Sequence, residues 1–321
     1  MQLIQNSYAP LKRVLMHRPG DEIKLVTKQS AGYFSFTSPV NLDKFQYQYD
    51  CFLKALRACQ VEPVLIGEVL KHDKEAIDYI AKRPNVMYTR DLAVTIGRGI
   101  VLMSMDMKCR KWDTHLVRKV AEKLRIPVLG EMAPEGILEG GGVEFITDRT
   151  IAAGLCDRAN EIALAKLKNL TLGTQIDEIV FIMMPEGVVH IDGYFLPVDR
   201  DLVIANPEYL NRYPCVIHRK GSKPRYTYFM DYLKQKKMDI IAITHEEGCK
   251  CAANYIQVGP RKLVGYEGNR RVEKEIRKRG GEVITFPGSE LIKGKGGPHC
   301  MTCPLERLYH KNTKDTKNAL T

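Results

Sequence analysis

Four short β-rich hairpins recur along the chain at nearly constant spacing, and this recurrence restricts the fold more than any other feature. Residues 94–96 turn through Gly97-Arg98-Gly99 into 100–102. Residues 143–146 turn through Thr147-Asp148-Arg149-Thr150 into 151–153. Residues 195–198 turn through Asp199-Arg200-Asp201 into 202–204, and residues 255–258 turn through Gly259-Pro260-Arg261-Lys262 into 263–265. Each unit is a β-favouring run, a short polar turn carrying an arginine, and a second β-favouring run. The turn arginines Arg98, Arg149, Arg200 and Arg261 are spaced by 51, 51 and 61 residues. A further strand over residues 13–18 is placed to open a fifth unit. Helix-like segments follow at 115–124, 159–167 and 272–279. A strand-and-helix repeat of this period predicts radial repetition, an α/β propeller-like ring.

Composition narrows the function classes. The 321 residues are 44% hydrophobic and 27% charged, as expected for a soluble globular chain. No apolar run approaches the roughly 18 residues of a membrane span, and the N-terminus lacks the basic-then-apolar layout of a secretory leader. The nine cysteines are scattered and odd in number, which predicts reduced thiols in a cytoplasmic protein without disulfides. The net charge of +11 would suit a nucleic-acid binder. Its runs at Lys234-Lys236-Lys237 and Arg270-Arg271-Lys274-Arg277-Lys278-Arg279 instead alternate with apolar residues at helical spacing, as on solvated helix faces. The expected partner is a small molecule, with no nucleic acid and no membrane; assembly into a homo-oligomer is left open. No linker interrupts the chain, so residues 1–306 read as one catalytic domain and 307–321 as a polar tail.

Four polar clusters abut the predicted strands: Tyr88-Thr89-Arg90-Asp91, Leu138-Glu139-Gly140-Gly141-Gly142, His190-Ile191-Asp192-Gly193, and Gly296-Gly297-Pro298-His299-Cys300-Met301-Thr302-Cys303. In a ring of repeats, equivalent hairpin ends converge on the axis, which brings a cysteine, a histidine and three carboxylates together. A thiolate is a strong nucleophile. A histidine can protonate a leaving group and then deprotonate an incoming one. Paired carboxylates suit a planar guanidinium. The set points to covalent chemistry at a guanidinium carbon, with no cofactor and no metal.

The same clusters resemble the guanidine-modifying (pentein) superfamily, and within it most nearly the arginine deiminases. Thr-Arg-Asp, Glu-Gly-Gly, His-x-Asp and Gly-Gly-Pro-x-Cys-Met-x-Cys-Pro-Leu occur in the family's order between about Leu11 and Arg307. The resemblance implies a five-bladed propeller of ββαβ units. It implies Cys300 as nucleophile, His190 as general acid and base, Asp91 and Asp192 as the guanidinium clamp, and Glu139 as a third acid beside it. Asn85 matches a substrate-binding asparagine, and Arg110 and Arg158 match arginines that bind a substrate α-carboxylate. The implied reaction is hydrolysis of free L-arginine to citrulline and ammonia through a covalent amidino-thioether.

The chain also departs from the family pattern. Gly142 follows Glu-Gly-Gly where the deiminases usually carry Asp. Only about 20 residues separate Cys109 from Val128, which leaves no room for the helical insert many deiminases carry. His299-Cys300-x-Thr302-Cys303 and His190-Ile191-Asp192-Gly193 resemble amidinotransferases, so transfer of the amidino group to an amine is the alternative reaction. A structural zinc held by Cys249, Cys251, His299, Cys300 and Cys303 is a reading of another class, and the glycines after Glu139 lack the lysine of a phosphate loop.

Overall fold

The hairpins form where the sequence places them. Ala93–Ile96 pairs antiparallel with Gly99–Leu102, Val143–Thr147 with Thr150–Leu155, Phe195–Asp199 with Leu202–Ala205, and Ile256–Gly259 with Lys262–Tyr266. These strands are buried almost throughout. Their continuous apolar runs therefore mark sheets covered on both faces. The computed structural model describes residues 6–308. The first turn is closed by Gly97 at φ 61° and the last by Arg261 at φ 53°, the left-handed geometry of tight hairpins.

Among the described residues the strands form five small sheets in a mixed α/β fold. In every sheet a central strand has one antiparallel and one parallel neighbour. The parallel neighbours are Val128–Glu131, Glu178–Met183, Asp239–Ala242 and Glu282–Phe286 for the four hairpins. A parallel neighbour needs a crossover, and helices supply several of them. Asp113–Leu124 fills the first and Glu161–Thr171 the second, the latter capped by Asn160 accepting from the Ala163 N–H. The second sheet is extended at one edge by Pro214–Arg219 and Arg225–Tyr228.

The fifth sheet joins the two ends of the chain. Leu11–Met16 lies parallel to Glu62–Leu65 and antiparallel to Cys303–Arg307. The strand expected to open a fifth unit therefore finds its hairpin partner almost 290 residues later. Arg307, placed in the tail by sequence, ends this strand and is 3% exposed; residues 309–321 lie outside the described residues. The basic run at 270–279 is the outer face of helix Arg270–Lys278, whose Val272 and Ile276 are buried. Its cations pair with acids: Arg271 with Glu247, Lys278 with Glu275, and Arg279 with Asp239. Among the described residues no helix is long and apolar enough to cross a membrane.

Candidate active site

One position recurs in all five sheets: the few residues before the first strand of each of the four hairpins and, in the sheet that joins the chain ends, before the C-terminal strand of the antiparallel pair. Asp91 lies in the 3-10 turn Thr89–Leu92, just before Ala93–Ile96. Glu139 caps the turn Gly140–Gly142 before Val143–Thr147, and His190 caps Ile191–Gly193 before Phe195–Asp199. Asn254 precedes Ile256–Gly259, and Cys300 precedes Cys303–Arg307. These turns touch one another, so five remote stretches of sequence meet.

At their meeting point His190 Nε2 lies 2.8 Å from Glu139 Oε2, while its Nδ1 lies 3.7 Å from Asp91 Oδ1. Cys300 Sγ is 3.6 Å from Asp192 Oδ2, and Asn254 Nδ2 donates to Sγ at 3.2 Å. Asn254 Oδ1 also accepts from the Cys300 N–H, so one amide holds both the backbone and the sulfur of Cys300. Gly141 permits this closeness, since a Cβ there would meet His190 Nδ1 at 2.6 Å. A Cβ at Gly142 would face Leu138 instead of the site, so the family's missing acid is not a gap in the carboxylate cluster. A buried acid does stand two residues on, where Glu144 Oε1 lies 2.7 Å from His299 Nε2.

The site residues expected from sequence come together, but they are not equally free. Glu139 is fully buried and committed: it accepts from the Asp106 N–H, from Arg158 Nη1 at 3.1 Å and from His190. Arg110 is 1% exposed. Its Nη1 donates to Asp91 at 2.5 Å, its Nε to Asp113 at 3.0 Å and its Nη2 to the Tyr88 carbonyl at 3.0 Å. A carboxylate that reached Arg110 would compete with Asp91. Arg158 is half-buried and lines the cleft beside Glu139. Asn85 donates to the Phe34 carbonyl at 2.8 Å. Asp91 Oδ1 is buried with no hydrogen-bond partner among the described residues.

The cleft has two lobes that share His190, Lys295 and Cys300. The smaller, about 90 Å³, is lined by Asn85, Asp91, Arg110 and Arg158. The larger, about 450 Å³, runs past Asp192, Tyr194, Cys249 and Asn254. Sequence reasoning missed Asn254 and Lys295. Asn254 was legible as the residue before the fourth hairpin, the one hairpin given no polar cluster. Lys295 sits at φ 60° between two glycines in a loop without a repeat partner.

Electrostatics prepare the groups for different tasks. Burial pushes the Cys300 thiol well above its usual range, and Asp192 and Asp91 push it further. Burial opposes the imidazolium of His190, but Asp91 and Glu139 outweigh it and raise its pKa. Burial likewise opposes the Asp192 carboxylate, and His299 outweighs it and lowers the pKa. The cleft thus holds a neutral thiol among ionised acids and calls for a cation. Among the described residues, the group with metal-ligand geometry is Asp91, Glu139 and His190, whose ligand atoms lie within 4.8 Å of one another. The zinc set read from Cys249, Cys251 and the His299–Cys303 stretch is not gathered: His299 is held by carboxylates and Cys303 donates to the Ala93 carbonyl.

The arginine deiminase family model matches residues 67–307. The chain belongs to the arginine deiminase family. It is therefore an enzyme of the C–N hydrolase type acting at a guanidino group. The arginine deiminase of Oenococcus oeni is 24% identical, over 95% of this chain and 97% of its own length. That of Limosilactobacillus reuteri is 26% identical over 74% of this chain and 65% of its own. Among solved structures, the dimethylarginine dimethylaminohydrolase of Pseudomonas aeruginosa, complexed with citrulline, superposes with a TM-score of 0.68 at 17% identity. It covers 92% of this chain and 99% of its own. The N-terminal domain of a cyanobacterial arginine dihydrolase, bound to product, gives 0.70 at 14%, with 92% and 97% covered. The structural likenesses show the shared pentein fold.

Proposed function

We propose that this member of the arginine deiminase family hydrolyses free L-arginine to citrulline and ammonia, and that its five sheets are the blades of a closed ring with the cleft at its axis. The observation that carries the reading is the buried, unpartnered Asp91 Oδ1, beside Cys300 and His190. A buried carboxylate oxygen without a donor is costly, and an entering guanidinium N–H supplies that donor. Asp192 takes the other edge of the guanidinium.

Binding a cation next to Cys300 favours its thiolate, which in the free enzyme burial and two acids disfavour. The thiol proton passes to solvent, and the thiolate attacks the guanidinium carbon to give a tetrahedral adduct. His190 protonates the departing nitrogen; the C–N bond breaks and ammonia leaves. An S-alkylthiouronium remains on Cys300. His190, now neutral, takes a proton from water, the hydroxyl adds to the same carbon, and the C–S bond breaks to release citrulline. Glu139 anchors His190 through Nε2 and leaves Nδ1 to exchange the proton. Arg158 and, on release from Asp91, Arg110 receive the α-carboxylate.

The 450 Å³ lobe gives an amine room to approach Cys300, the observation that favours amidino transfer. One experiment separates the two. Arginine alone yields equal amounts of citrulline and ammonia from a hydrolase. No turnover until glycine, lysine or another amine is added, with ornithine as co-product, overturns hydrolysis and leaves the covalent chemistry standing. Cys300→Ala is expected to lose nearly all turnover and Cys303→Ser to keep it. Agmatine, lacking the carboxylate, is expected to react roughly ten- to a hundredfold less efficiently, the loss of one charge-assisted contact.

A further inference from the structure

Behind the cleft, beside residues 6–9, two guanidiniums are buried without an ion-pair partner among the described residues. Arg90 is 8% exposed and Arg307 3%. Arg90 Nε donates to the His299 carbonyl at 3.4 Å, and Arg307 Nη1 to the Ala9 carbonyl at 2.6 Å. Neither forms an ion pair among the described residues, and Arg307 Nε is buried with no partner at all. Both arginines line a cavity of about 20 Å³ together with Asn6, Ser7, Thr95 and Glu144. That is roughly the room of one water or one small ion.

Charge makes the distinction between those occupants. Glu144 Oε2 accepts from Ser7 Oγ at 2.9 Å, and Oε1 lies 2.7 Å from His299 Nε2 in an ion pair without hydrogen-bond geometry. His299 Nδ1 pairs in turn with Asp192 Oδ2 at 2.9 Å. With His299 between two carboxylates, Arg90, Arg307 and His299 are set against Asp192 and Glu144, and among these five described groups one positive charge stays in excess. Burial and the neighbouring Arg90 push the Arg307 guanidinium down to about 9. A water would satisfy the orphaned Nε but leave the charge. Buried charges are normally paired. Thr95 Oγ1 is spent on the Pro304 carbonyl and Ser7 on Glu144, so the guanidiniums are the available donors.

We propose that this cavity binds a small inorganic monoanion of the halide class, bridging Arg90 and Arg307. Its small volume favours a single-atom anion over sulfate, phosphate or an organic carboxylate. The site is continuous with the catalytic face: the Arg90 N–H donates to the Cys300 carbonyl at 3.1 Å, and Arg307 closes the strand that begins at Cys303. The anion fastens the turn that carries Cys300 from behind, independently of which reaction occurs in front.

Full-length protein exchanged into gluconate and titrated with chloride or bromide at constant ionic strength tests the site. The melting temperature is expected to rise with the logarithm of halide concentration above the dissociation constant. Sulfate at equal ionic strength should give no such rise. Arg307→Gln should abolish the halide-dependent increment, and Arg98→Gln, in an exposed turn, should retain it. Crystals soaked in bromide should show an anomalous peak between the two guanidiniums. If Arg307→Gln does not fold, the wild-type titration and the bromide peak decide alone. A flat titration with no anomalous peak overturns the proposal, as does equal stabilisation by sulfate.

Discussion

Two buried histidines flank Asp192, and their surroundings differ in one respect. His190 is 8% exposed and has a carboxylate at hydrogen-bonding distance on one nitrogen only, Glu139 on Nε2; its Nδ1 faces the cleft with Asp91 3.7 Å away. His299 is wholly buried and has a carboxylate on each nitrogen, Asp192 at 2.9 Å and Glu144 at 2.7 Å. For both, acid partners outweigh burial and raise the pKa. Only His190 keeps a nitrogen that can exchange a proton with something in the cleft. On the proposed mechanism the same residue type serves as a proton carrier or a fixed cation according to whether one of its nitrogens faces the cleft or both face carboxylates.

The largest expected effect is on turnover. His190→Ala should lower kcat by about 10²- to 10⁴-fold, the range for removing a general acid–base group, with a smaller loss of stability than His299→Asn, because Glu139 keeps Arg158 and the Asp106 N–H. His299→Asn should behave oppositely. It strands Glu144 and Asp192 without their cation, and breaking a buried ion pair in this way costs about 3–5 kcal/mol of stability, read by denaturant unfolding. His299→Asn/Glu144→Gln should recover part of that loss. If folded His299→Asn lost kcat as deeply as His190→Ala, the division of labour would be wrong and His299 would belong to the proton path.

Smaller is the pH dependence of stability. The folded pKa of His299 is raised, so its contribution is complete below about 6.5, the unfolded value, and is lost as pH rises through the folded value. Asp192 and Glu144 have lowered folded pKa values, by His299 in each case against the opposing effect of burial. Their contribution is complete above about 4 and is lost as pH falls. The stability gap between wild type and His299→Asn should therefore be widest near pH 5–6 and narrow on either side in a series of melting curves. For His190 the same sign puts the alkaline loss of kcat at a midpoint above about 6.5. A midpoint below that value would show that burial, not Asp91 and Glu139, governs His190.

How much of this was legible in sequence depends on distance along the chain. The four hairpins were, because each is written in about ten consecutive residues and its register is local. The fifth antiparallel pair was not, because Leu11–Met16 and Cys303–Arg307 lie at opposite ends and neither half carries a turn. Cys300, His190, Asp91, Glu139 and Asp192 were legible as polar residues abutting strands. Asn254 was not singled out, since Ala252-Ala253-Asn254 carries no charge. The state of each group was hidden altogether. Nothing near Arg110 in sequence announces that Asp91, nineteen residues earlier, already holds it. Nothing near His299 announces Glu144. Such pairings are made by the convergence of turns, and convergence is a property of the assembled sheets.

The joining of the two chain ends in one sheet also sets an order of events during synthesis. Leu11–Met16 can meet its parallel neighbour Glu62–Leu65 early, but its other edge waits for Cys303–Arg307. A strand pairing of this separation is among the slowest kinds of contact to form. Cys300 lies three residues before the late strand, and its carbonyl is gripped by Arg90 in the 3-10 turn just ahead of Ala93–Ile96. A ribosome-bound chain short of residue 303 has its carboxylates and His190 but no seated thiol. The Cys300 sulfur reaches its acidic surroundings only when the sheet of Leu11–Met16 and Cys303–Arg307 closes.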